Sequence, residues 1–309
     1  MQPLWTAERE VTPALAAALI RAQFPALAAG GGPTIDLLGV GWDNVAYLVG
    51  GRYVFRFPQR SVAVPLIEHE ARLLPAVAPR VPLPVPRPSF AGRPSDDYPW
   101  PFLGYEHLAG RAACGAALDE DARARAAAPL GRFLRALHDV PVVQAARLGA
   151  PGDTLGRTDL AKRVPQVRAR LAEVRARGLG ADGGAFDTIC DEAESETAPL
   201  PAPALVHGDL YARHLLVDGA GALSGVIDWG DVHLGQPWID LSIAFGFLPP
   251  SARDVFFEAY GGVPDRALVR RARLRALGYA VALTVYGTET SDGDLVREAR
   301  VSLGHLEMS

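Results

Sequence analysis

Apolar and polar positions change period twice along the chain. Residues 13–29 read as a short amphipathic helix, with Thr12 as N-cap and Pro13 at its first position. Gly30-Gly31-Gly32-Pro33 stops it. Short β-type runs follow at 35–40, 45–49 and 53–57, with Asp43-Asn44 and Gly50-Gly51 supplying turns. Leu66, Ile67, Leu73, Leu74 and Val77 return to helical spacing, which predicts a helix over 63–78. Eight prolines in 79–101 exclude a helix and leave edge strands and turns. Residues 102–108 read as a strand closed by Ala109-Gly110.

Beyond that point the helical period dominates. Leu130, Phe133, Leu134 and Leu137 make one stripe of a helix ending near His138. Residues 158–177 and 185–197 read as exposed, charged helices. The stretch 204–228 interrupts with short β-type runs, and helices resume at 238–247, 251–260, 264–286 and 292–306. The expected class is α+β and bilobal: a β-rich N-terminal lobe over 1–107 and a mainly helical C-terminal lobe over 108–309.

The 309 residues are 49% apolar and 21% charged, which is ordinary for a globular protein. A net charge of −4 gives no reason to expect a nucleic-acid partner. Cys114 and Cys190 are too few for a disulfide framework and lack metal-ligand spacing, so a reducing cytoplasm is expected. The first ten residues lack a signal peptide's basic and apolar regions. No apolar run approaches the roughly 20 residues of a membrane span. Lys162 is the only lysine, so a function that ordinarily uses Lys must use Arg here unless it uses Lys162.

The chemistry concentrates in His207-Gly208-Asp209-Leu210-Tyr211-Ala212-Arg213-His214 and in Val226-Ile227-Asp228-Trp229-Gly230. Two isolated carboxylates stand close to glycines and apolar β-type runs. Kinase-type phosphoryl transfer divides labour between such a pair: one Asp orients the nucleophile and the other holds Mg²⁺. Asp209 is the candidate catalytic base. Asp228 is the candidate ligand for Mg²⁺, which takes hard oxygen donors together with waters and phosphates. The plainer alternative makes both of them turn residues. Upstream, Arg56 lies on a strand between Phe55 and Phe57 and points away from both, because side chains alternate.

These motifs resemble those of the aminoglycoside phosphotransferase family, specifically over 205–241 and more loosely over 35–247. The resemblance implies a bilobal protein-kinase-like fold, ATP or GTP as donor, and Mg²⁺. The family usually has Asn five residues after the catalytic Asp. His214 stands there instead, as in macrolide phosphotransferases, either as a metal ligand or only as a loop hydrogen-bonder. Where kinases place Lys on the phosphates, this chain has Arg56, with Glu70 as its expected partner and Glu68 as rival. Gly39 to Asn44 occupies the place of the phosphate-covering hairpin, which makes Gly41 and Asn44 candidate nucleotide contacts. Tyr105 to Leu108 takes the place of the hinge, where backbone of Glu106 and Leu108 would meet the purine. Asp240 would brace the catalytic loop, and Gln236 replaces a more usual Asp.

The implied function is transfer of the γ-phosphate to a small-molecule hydroxyl, an aminoglycoside or macrolide antibiotic being the first expectation. The alternatives are a metabolic amino alcohol or sugar kinase, and a nucleotide-binding regulatory protein with weak catalysis. Asp187, Asp191, Glu192, Glu194 and Glu196 could attract a cationic acceptor or simply form a solvated helix face. No nucleic-acid or membrane partner is expected.

Overall fold

A computed structural model describes residues 7–28, 32–41 and 43–308. Residues 1–6 of the expected leaderless start, Gly30 and Gly31 of the helix stop, and Trp42 of the expected phosphate hairpin lie outside them. The chain divides into two units, Met1–Pro79 with Val85–Leu108, and Arg80–Pro84 with Ala109–Ser309. The last crossing, after Leu108, falls one residue beyond the expected boundary. Arg80–Pro84 joins the second unit because Val226 N–H donates to Pro84 O at 2.9 Å and Arg80 to Gln144 at 2.9 Å.

In the first unit, helix α1 spans Pro13–Gln23, and the Thr12 hydroxyl accepts from Leu15 N–H. It ends earlier than expected: Pro25 supplies no donor to continue the ladder, and the chain turns through a 3-10 segment at Pro25–Ala28. Strands β1 (Ile35–Val40), β2 (Asn44–Val49) and β3 (Tyr53–Pro58) precede helix α2 (Ala63–Val77). Strands β4 (Pro88–Gly92) and β5 (Phe102–Glu106) follow. The five strands form one antiparallel sheet ordered β1-β2-β3-β5-β4. The proline-rich segment supplies its edge, where a missing N–H costs no ladder bond. Phe55, Phe57, Tyr98 and Phe102 are fully buried on one face, with the Phe57 and Phe102 rings stacked at 4.6 Å.

The second unit opens with β6 (Arg111–Ala112), α3 (Glu120–Arg125), α4 (Ala127–His138) and α5 (Val142–Arg147). The α4 stripe of Leu130, Phe133, Leu134 and Leu137 is fully buried. Helices α6 (Leu160–Ala176) and α7 (Ala185–Glu194) are not exposed throughout. Val164, Val167, Leu171 and Val174 on the first, and Phe186, Ile189, Cys190 and Ala193 on the second, are buried. Dense charges between them hide the stripe in the sequence. Next come β7 (Ala204–Val206), β8 (Leu215–Val217), β9 (Leu223–Val226) and β10 (His233–Gly235). Helices α8 (Trp238–Leu241), α9 (Ile243–Gly246), α10 (Arg253–Tyr260), α11 (Arg266–Glu289) and α12 (Gly293–Glu307) complete the unit. β8 is central in a sheet ordered β6-β8-β9, while β7 pairs separately with β10. Asp209 therefore lies between two sheets, and Asp228 just beyond β9. Among the described residues no helix is long and apolar enough to cross a membrane.

Helices α3 and α12 are tied by a forked ion pair. Arg123 Nη1 and Nη2 donate to Glu298 at 2.7 and 2.6 Å, beneath 5% side-chain exposure on both, and the guanidinium lies 4.9 Å from the Phe247 ring. Removing one partner leaves a buried charge. Glu298→Ala is expected to cost about 3–5 kcal/mol in urea unfolding; a loss below about 1 kcal/mol would mean that the pair is strongly offset by its own desolvation.

Candidate active site

The loop after β7 is held by a carboxylate the solvent does not reach. Asp240, on α8, accepts the backbone N–H of His207 at 2.7 Å and of Gly208 at 2.9 Å, one on each oxygen. His138 Nε2 donates to the same side chain at 3.2 Å, which leaves His138 Nδ1 to accept the Tyr260 hydroxyl at 2.9 Å. Burial alone would raise the Asp240 pKa; the hydrogen bonds and the nearby histidines outweigh it and hold the carboxyl below its usual range. Gly208 is required on two grounds. Its φ is +86°, and a Cβ there would stand 2.4 Å from Asp231 O. His207 is fully buried, and burial pushes its imidazole below the ordinary histidine range. Its Nε2 donates to Ile227 O at 3.0 Å and its Nδ1 accepts Asp209 N–H at 3.3 Å. One neutral ring thus links the backbones beside both candidate carboxylates.

Asp228 takes φ +64°, a left-handed conformation that costs a non-glycine residue about 1–3 kcal/mol. His214, six per cent exposed, closes the space between the two aspartates. Its Nδ1 lies 2.6 Å from Asp209 O, and a carbonyl can only accept, so Nδ1 carries the proton. Nε2 then faces Asp228 Oδ2 at 3.4 Å. A histidine fixed through one nitrogen by a backbone carbonyl, with the other turned to a carboxylate, has the form of a metal ligand. Among the described residues no three His, Cys, Asp or Glu converge as a cage. A two-residue set still fits Mg²⁺, which takes much of its shell from water and phosphate.

Helix α11 adds two groups that motif reading missed. Tyr279 donates to Asp209 Oδ1 at 2.7 Å, and Arg275 Nη2 donates to Tyr279 Oη at 2.7 Å and to Gly208 O at 3.0 Å. No local signal sets them apart from the other polar positions of α11, which also carries Arg270, Arg271 and Arg273. Arg157 pairs with Asp231, whose carboxyl is pushed up by burial and then by the charge of Asp209.

The other predicted residues lie in the first unit. Arg56 Nη1 meets Glu70 Oε2 at 2.8 Å, with Glu70 almost wholly buried. Glu68 faces outward toward Arg72 at 3.9 Å. Glu70 sits within α2's buried stripe, between Ile67 and Leu73. Gly41 N–H donates to Asn44 O at 2.8 Å, closing the link between β1 and β2. Glu106 ends β5, exposed and paired with Arg52 at 2.8 Å, and Leu108 is the unit's last residue. The acidic residues considered for a cationic acceptor are each taken by arginine. Arg175 holds Asp187, Arg168 holds Asp191 and Glu194, Arg273 holds Glu192, and Arg270 holds Glu196.

Asp240→Asn retains one acceptor oxygen but turns an NH₂ toward an N–H donor. The variant is expected to lose about 1–3 kcal/mol at pH 7. A depressed carboxyl stabilises the fold above its unfolded pKa and loses that contribution as pH falls through the folded value. The gap to wild type should therefore narrow below about pH 4. Urea unfolding at pH 7 and pH 3 checks it; an equal gap at both would deny the depressed ionisation.

The family model described as "Phosphotransferase enzyme family" matches residues 34–276. A viomycin phosphotransferase of Streptomyces vinaceus is 39% identical over 67 residues, 21% of this chain and only 23% of that protein's length. Among solved structures, the GDP and kanamycin complex of APH(2")-IIIa is 26% identical, covering 94% of this chain and 97% of that one at a TM-score of 0.66. The macrolide 2'-phosphotransferase MphH of Brachybacterium faecium shares the fold at 23% identity and a TM-score of 0.59, covering 92% and 98%. The chain belongs to the phosphotransferase enzyme family.

Proposed function

We propose that this enzyme transfers the γ-phosphoryl group of ATP or GTP to a hydroxyl of a small antibiotic, of the aminoglycoside or macrolide kind. The arrangement that carries the reading is Asp209, His214 and Asp228, in which the Asp209 carbonyl aims His214 Nε2 at the Asp228 carboxylate. Asp209 accepts the acceptor's hydroxyl hydrogen bond and orients its oxygen for in-line attack. His214 and Asp228 would hold Mg²⁺, which would supply positive charge against the phosphate negative charge. Arg56, fixed by Glu70, offers a permanently charged fork to the nucleotide phosphates. Gly41 and Asn44 cover the phosphates, and backbone of Glu106 and Leu108 meets the purine. The kanamycin complex and the viomycin phosphotransferase among the relatives support an antibiotic acceptor. Buried, free Cys114 and Cys190 suit a reducing cytoplasm.

A second reading within the class draws on the arginine-neutralised acidic residues. They leave no acidic field on α7 for a polycation, which favours a macrolide, or a metabolic alcohol or sugar, over an aminoglycoside. A panel of kanamycin, viomycin, erythromycin and simple amino alcohols, read by nucleoside diphosphate release with ATP and GTP, separates these. Retention of Asp209, Asp228 and Arg56 argues against a purely regulatory role.

Asp209→Ala should cut turnover by at least about 100-fold while leaving nucleotide affinity within about twofold of wild type. A loss under about tenfold, or roughly 1.4 kcal/mol of barrier, would remove Asp209 as base. Arg56→Ala should weaken binding of a non-hydrolysable nucleotide, and Arg56→Lys should recover part of it; unchanged affinity would take Arg56 out of the site. In Mg²⁺ titrations of turnover, His214→Asn should stay active and His214→Ala should need more metal. An alanine variant that titrates like wild type would make His214 a loop residue only.

A further inference from the structure

Asp209 already has a hydroxyl on it. Tyr279 Oη accepts Arg275 Nη2–H at 2.7 Å, which directs the phenol's one proton onto Asp209 Oδ1, also at 2.7 Å. Arg275 is anchored by a second bond to Gly208 O at 3.0 Å and by its own stacking over the Tyr279 ring at 4.3 Å. The ring has a further neighbour: Tyr211 stacks on Tyr279 at 5.3 Å, and Tyr211 packs on His214 at 4.5 Å. Burial, opposed by the charge of Arg275 and reinforced by Asp209, holds the Tyr279 pKa well above the ordinary range, so the phenol stays protonated and remains a donor.

The two oxygens of Asp209 are therefore unequal. Oδ1 takes the Tyr279 proton, while Oδ2 stands 3.7 Å from His214 Nδ1, beyond hydrogen-bond distance, and that nitrogen's proton is already given to Asp209 O. We propose that Tyr279, held by Arg275, is a positioning residue that tethers Oδ1 and reserves Oδ2 for the incoming hydroxyl. The inference rests on Asp209 as the residue that engages the acceptor. A carboxylate bound at one oxygen loses its free rotation about the Cβ–Cγ bond, and catalytic carboxylates depend on such fixed geometry. The opposing possibility is that the phenol stands in for the acceptor and must leave before reaction. The two predict opposite signs.

Tyr279→Phe keeps the ring and its stacking and removes only the hydroxyl. Turnover is measured as phosphate release to water, and as diphosphate release with kanamycin and with viomycin. The positioning role predicts that kcat falls about 10- to 100-fold, with nucleotide KM and the urea midpoint essentially unchanged. An unchanged kcat overturns it, and a raised kcat assigns Tyr279 the plug's role instead. Asp209→Asn and the double variant run in parallel. If Tyr279→Phe slows the Asp209→Asn enzyme as much as the wild type, the tyrosine acts on the fold rather than on the carboxylate, and the inference falls. If Asp209→Asn itself keeps full turnover, the catalytic reading fails and the inference with it. If only Asp209→Asn is slow, the inference alone fails.

Discussion

The site depends on one buried acceptor, the carboxylate of Asp240. A loop that must present an aspartate between two short sheets leaves backbone N–H groups facing inward, and buried donors without partners cost about 1–3 kcal/mol each. Asp240 takes two of them, His207 N–H and Gly208 N–H. A carboxylate so deeply placed needs further partners to stay ionised. His138, at the C-terminal end of α4, and through it Tyr260 on α10 supply them. The long apolar stripe of α4 thus has a polar end that carries a load in the site. What the sequence presents as a helix terminus is a strut.

From that anchor the loop that carries Asp209 is built by carbonyls and one neutral ring. Gly208 turns left-handed against Asp231 O, His207 links Asp209 N–H to Ile227 O, and Asp209 O fixes the tautomer of His214. The backbone, more than side-chain charge, aims each functional group. Charge is balanced by arginine. Arg56 pairs with the buried Glu70, and the one lysine, Lys162, donates to Leu155 O at 3.1 Å, where it closes a turn in the second unit.

Strong periodicity was legible: the strands of the first unit and the stripe on α4 fall where alternation and helical spacing put them. The two- and three-residue strands β6 and β10 were not, because such segments are too short to show a period. The buried faces of α6 and α7 were obscured by the arginines interleaved with them, which pair with α7's acids. The motif residues Asp209, His214 and Asp228 do converge, and Glu70, expected from the family resemblance with Glu68 as rival, is the one that meets Arg56. Tyr279 and Arg275 were not. They lie about 70 residues beyond Asp209 and reach it only because α11 packs beside the loop, a long-range contact without a local signature.

The central claim is that Asp209 aligns an acceptor hydroxyl for direct attack on the nucleotide, with no enzyme-bound phosphoryl group between. The most direct measurement is the configuration at phosphorus after transfer from a γ-thiophosphate nucleotide made chiral with oxygen isotopes. In-line transfer from donor to acceptor at this site predicts inversion. Retention would require two displacements through a phosphorylated side chain and would contradict the account.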